Sequence, residues 1–169
     1  MTLAEVVLAV MFVGLVAYGL FGGADFGAGI WDLLAGGTRR GARQRELIEH
    51  SIAPVWEANH VWLIFVLVVL WTAFSGAFAA VVTTLYVPLT LAAFGMIARG
   101  AAFAFRKSTP TLGMRRALGA AFAFSSLATP YFLGSVVGAV ASGRVPAGIA
   151  ADQREGGAGG RPRGGAARA

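Results

Sequence analysis

The sequence predicts an all-α integral membrane protein with four transmembrane helices, its N-terminus outside, and a disordered C-terminal tail. Three observations carry this. Of 169 residues, 57% are hydrophobic and only 13% charged, about half the charge of an ordinary soluble domain. The uncharged residues fall into long runs, and the basic residues sit between and after those runs, as topology determinants do.

Val6 to Ala24 spans 19 residues without a formal charge, Val61 to Ala98 spans 38, and Ala117 to Gly143 spans 27. A membrane span takes about 20 residues at about 1.5 Å rise each, so the outer runs hold one helix each and the middle run holds two. The middle break is expected at Ser75–Gly76, a tight-turn pair. Helices are predicted over about 3–34, 52–74, 77–105 and 114–142, forming a transmembrane domain over about 1–143. Pro54 suits the first turn of the second helix, and Pro88 should kink the third. Trp31, Trp56, Trp62 and Trp71 fall near span ends, as an aromatic belt would.

Arg39, Arg40, Arg43 and Arg45 precede the second helix, and Arg106, Lys107, Arg115 and Arg116 lie between the third and fourth. Parity puts both clusters on one side, the cytoplasm, and hence the N-terminus outside. This distribution also argues against nucleic acid as the partner of the 14 Lys and Arg, set against 8 Asp and Glu. Absence of cysteine excludes disulfides and thiolate metal sites. Residues 1–20 lack the basic segment of a cleavable signal. Residues from 144 to 169 are rich in Gly, Ala and Arg without hydrophobic periodicity and read as a disordered tail. A fragment, a split gene and a frame-shifted product would all end this way.

Ionisable groups inside a span are functional candidates because each costs about 2.5–3.5 kcal/mol there on insertion scales. Asp25 falls in the cytoplasmic half of the first helix and Arg99 near the cytoplasmic end of the third. Glu57 is expected about five residues into the second helix, roughly 8 Å deep. Three helices thus bring Asp25, Glu57 and Arg99 to one depth. An arginine paired with one acid leaves the other carboxylate able to exchange a proton. The alternatives are a structural ion pair or an arginine that snorkels. Asp32 reads as interfacial. Glu57 and His60 have the E-x-x-H spacing of carboxylate-bridged metal bundles, but the second such pair and further glutamates are missing, so no metal site is expected. Gly19, Gly23 and Gly27 recur every four residues and should let a neighbouring helix approach Asp25.

Specific strings carry a resemblance. Residues 22–30, GGADFGAGI, resemble the first-helix signature of subunit II of cytochrome bd-type quinol oxidases; residues 51–63, SIAPVWEANHVWL, resemble its second-helix signature; residues 99–106, RGAAFAFR, resemble the end of its third helix. The resemblance runs over about residues 5–143. It implies a multi-pass subunit of the bacterial inner membrane in a complex that oxidises quinol and reduces dioxygen to water. It places the haems, of b and d type, and the quinol site in a partner, subunit I, so that this chain alone binds no cofactor. It implies that subunit II packs on subunit I in the bilayer and lines a route for proton uptake from the cytoplasm. Glu57 and Asp25 stand at the family's acidic positions, and Trp56, Asn59 and Arg99 match motif positions that line or order that region. Such subunits have about eight spans in two related halves, of which this chain supplies the first. Outside the resemblance, half of a proton- or ion-coupled transporter and a purely structural membrane subunit share the same features.

Overall fold

The computed structural model describes residues 1–36, 41–106, 108–109 and 111–146. Arg39, Arg40, Lys107 and the tail from 147 onward, which entered the topology and tail expectations, lie outside the described residues. The described residues form five helices, α1 (Leu3–Leu34), α2 (Ala42–Ala73), α3 (Ser75–Thr84), α4 (Tyr86–Arg106) and α5 (Leu112–Ala141). Four are long and apolar enough to cross a membrane, and α3 is too short. The surface is apolar, with Leu, Val, Phe and Ile side chains exposed along every long helix, as lipid contact requires.

α1 starts at a capping box: Thr2 Oγ1 accepts from the Glu5 N–H at 3.3 Å, and Glu5 Oε2 accepts from the Thr2 N–H at 2.9 Å. The two side chains thus each accept from the other's backbone N–H, satisfying two groups that the start of the helix leaves without helical partners. At the other end Gly36 takes the left-handed conformation (φ 81°) that stops the helix. Arg45 reaches back there, pairing with Asp32 at 3.3 Å and donating to the carbonyls of Gly36 (2.5 Å) and Asp32 (3.4 Å). This clamp satisfies terminal carbonyls of α1 and fixes how α2 enters.

α2 begins at Ala42 and not near 52. Arg43 and Arg45 therefore belong to its first turn, and Pro54 sits inside a continuous helix. Hydrophobicity marked where the apolar part starts; the helix extends a polar stretch beyond it.

The expected third helix is divided. The break before it falls on Phe74 (φ −130°, ψ 51°), with Ser75 and Gly76 already in α3. A second break falls on Leu85 (φ −113°, ψ 28°). Its cause is Pro88, whose ring crowds the Thr84 carbonyl four residues back and offers it no N–H. The kink thus lies one turn upstream of the proline.

α1 packs along α2 and α4 along α5, and the two hairpins meet mainly through α1 and α5. Gly29 of α1 and Gly95 of α4 make the closest approaches: a Cβ on Gly29 would overlap Ser126, and one on Gly95 would overlap Thr129 Oγ1. Both partners lie on α5, which is seated on glycines from two helices. Gly23 and Gly27 do not serve this purpose, since a Cβ on either meets nothing within 4 Å. The reason is angular. Each lies two residues from Asp25, about 200° around the helix, so they face away when Asp25 faces in. The inward stripe is Gly14, Gly22, Asp25, Gly29 and Asp32, all buried.

Candidate functional site: a buried ion pair between two hairpins

Each long helix contributes one buried polar side chain to a single cluster: Asp25 from α1, Asn59 from α2, Arg99 from α4 and Ser126 from α5, none more than 1% exposed. One Arg99 Nη2 donates to Asp25 Oδ1 and to the Asp25 carbonyl, the latter at 2.5 Å. Asn59 Nδ2 donates to the other carboxylate oxygen, Oδ2, at 3.1 Å. Arg99 Nη1 donates to Ser126 Oγ, whose own proton goes to the Phe122 carbonyl at 2.6 Å. The guanidinium also lies 5.1 Å from the ring centre of Phe26 and 4.6 Å from that of Phe122, within cation–π range. In a dry interior such a pair persists only when its remaining donors and acceptors are met. Here both carboxylate oxygens and both terminal nitrogens are engaged, while Arg99 Nε and Asn59 Oδ1 are buried without a partner among the described residues.

The structure thus joins Asp25, Asn59 and Arg99 and leaves Glu57 out of the pair. Glu57 is exposed, on the opposite side of α2 from Asn59, again because two residues turn a helix by about 200°. It makes no hydrogen bond or ion pair among the described residues. Trp56 and His60 flank it on the inward side. The Trp56 ring packs on Phe103 (6.3 Å) and on His60 (4.6 Å), and His60 Nδ1 lies 2.9 Å from the Trp56 carbonyl. Trp56 therefore joins the α2–α4 contact, whereas Trp31 and Trp71 remain exposed. Among the described residues no group of three or more His, Cys, Asp and Glu could hold a metal ion.

Reasoning from sequence missed Ser126, Thr129 and Phe122. Their signal was present: Phe122, Ser126 and Thr129 recur at four and three residues and give α5 one inward face, with Ser125 buried beside it.

These features define a multi-pass helical membrane protein whose two hairpins are joined by an ion pair sealed from lipid. The chain belongs to the cytochrome bd terminal oxidase subunit II family, whose model matches residues 3–158. The family is one of inner-membrane subunits of respiratory oxidoreductases, and the four membrane-length helices of this chain fit it. It is 30% identical over 129 residues to a Bacillus subtilis (strain 168) protein named cytochrome bd ubiquinol oxidase subunit 2, a match covering 76% of this chain and 36% of that protein. The matched part is thus about a third of that relative's length. No solved structure matches the chain.

Proposed function

We propose that the chain serves as the non-haem subunit II part of a membrane quinol oxidase, packing on a haem-bearing subunit I and contributing to proton uptake from the cytoplasm. One observation carries the residue assignment: the two acids differ in availability. Asp25 has both oxygens committed, one to Arg99 and one to Asn59. Glu57 is exposed on an apolar span and uncommitted among the described residues. Ionisable groups in a span almost always face protein or water and not lipid, so the α2 face carrying Glu57 suits contact with subunit I.

On this reading Glu57 takes up and passes on the proton. Asp25 belongs to the same region as a fixed negative charge, balanced by Arg99. Asn59 and Trp56 hold α2 in register, Asn59 through Asp25 and Trp56 through its contact with Phe103. On this reading haems b and d, and the quinol they oxidise, belong to the partner. When bound there, the haems supply the electron transfer and oxygen reduction; this chain's residues orient and move protons.

Glu57→Gln tests the assignment. Quinol oxidase turnover by the purified complex should fall while its haem absorbance stays largely intact, and Glu57→Asp should be milder because it keeps an ionisable group. Full activity in the Gln variant would reduce Glu57 to a structural residue. Loss of haem from both variants would make it an assembly residue.

A further inference from the structure

The E-x-x-H pair of α2 has no part in the ion-pair cluster, yet its histidine is held in one tautomer. His60 Nδ1 lies 2.9 Å from the Trp56 carbonyl oxygen. A carbonyl only accepts, so Nδ1 carries the hydrogen and, in the neutral ring, Nε2 keeps the lone pair. The ring's one basic atom is therefore Nε2. Trp56 also faces the imidazole itself, with ring centroids 4.6 Å apart. An indole at that distance attracts a cation. The residue that fixes the neutral tautomer thus also favours the imidazolium formed when Nε2 gains a proton.

The place of His60 on α2 says where such a proton comes from. The helix is continuous over both residues, which puts His60 about 60° round from Glu57 and about 4.5 Å further along the axis. That turn leads towards Asn59, and exposure falls in the same order: Glu57 exposed, His60 half-buried, Asn59 buried. On the orientation that the basic clusters predict, the step along the axis leads away from the cytoplasm. Residues three apart on a helix are surface neighbours, with Cβ atoms about 5–6 Å apart. The Glu57 carboxylate is exposed and free to swing across that gap about its side-chain bonds.

We infer that His60 accepts the proton from Glu57 and carries it deeper into the membrane on Nε2. The O–H bond of the Glu57 carboxylic acid breaks as the Nε2–H bond forms, leaving a carboxylate and an imidazolium. The imidazolium then gives that proton to a base or a water chain of the partner subunit, while Nδ1–H stays on the Trp56 carbonyl. His60 has this role only if Glu57 takes up protons as proposed, and it adds the second carrier on that route. The E-x-x-H spacing is then a proton donor and its acceptor, one turn apart.

His60→Asn isolates this role. Asparagine has a nitrogen at the same place along the side chain, so it keeps an N–H for the Trp56 carbonyl, but it has no basic atom. In the purified complex, with haem absorbance intact, quinol oxidase turnover should fall by about tenfold or more. The ratio of turnover in light over heavy water should rise, because proton transfer becomes the slow step; a packing defect alone leaves that ratio unchanged. Combining His60→Asn with Glu57→Gln should be no slower than the slower single variant, since both act on one route. If Glu57→Gln is slow but His60→Asn is within about twofold of wild type, or is slow with an unchanged ratio, His60 is no carrier and the uptake reading of Glu57 stands. If Glu57→Gln is fully active, both readings fall together. A density map of the wild-type complex tests the assignment even if His60→Asn fails to assemble. The Glu57 carboxyl or an ordered water at Nε2 supports it, and an iron or an N–H donor of another subunit bound there refutes it.

Discussion

Replacing Arg99 by methionine removes the cation that pairs with Asp25 while keeping an unbranched side chain of similar reach. The carboxylate would be left with Asn59 Nδ2 as its one side-chain donor, at a position 0% exposed. Removing one partner of a buried pair costs about 3–5 kcal/mol, mostly as the penalty for the stranded charge. Asp25→Asn should cost less than Arg99→Met. The guanidinium keeps the residue-25 carbonyl and Ser126 Oγ as acceptors and two aromatic rings, each ring contributing roughly 0.5–2 kcal/mol. Combining Asp25→Asn with Arg99→Met strands no charge, so the double variant should be more stable than Arg99→Met alone, with a coupling of about 2–3 kcal/mol. The assay is a double-mutant cycle from denaturant titration of the purified complex in detergent, followed by helix content. Additive single effects, or an Arg99→Met cost under about 1 kcal/mol, would mean the pair is not sealed as described.

Gly29→Ala should destabilise by about 1–3 kcal/mol through overlap with Ser126, whereas Gly23→Ala, facing open space on the same helix, should be neutral or stabilising by about 0.5–1 kcal/mol; thermal unfolding of the two distinguishes them. Thr2→Ala removes the capping acceptor of α1 and should cost about 0.5–2 kcal/mol, seen as faster amide exchange confined to the first turn. Pro88→Ala gives the Thr84 carbonyl its helical donor back, so α3 and α4 should merge into one helix. Spin labels at positions 77 and 97 would then move apart, and an unchanged distance would show that the bend at Leu85 has another cause.

The spans were readable because hydrophobicity and length decide them in a bilayer, and because charge-free runs are long. Their ends were less readable. Arg43 and Arg45 looked like loop residues, but the Arg45 contacts that fix α2 depend on where α1 stops at Gly36, a tertiary fact. The division at Leu85 was half visible: Pro88 announced a kink, and the four-residue reach of its clash placed it. For the site, shared depth brought Arg99 together with the two acids but did not say which of them it pairs with. The exclusion of Glu57 was available from its two-residue offset from Asn59, although depth alone put all three charges together. Gly23 and Gly27 misled for the same reason, since a four-residue repeat identifies a face without saying which way it points. Only the position of Asp25 orients it.

The two ends of the ion pair lie 74 residues apart in the chain, on different hairpins. At about 5–20 residues per second, roughly 4–15 s pass between synthesis of Asp25 and synthesis of its arginine. Asn59 follows Asp25 by only 34 residues and lies on the same hairpin, so the carboxylate gains a side-chain donor about midway through that interval, before α4 arrives.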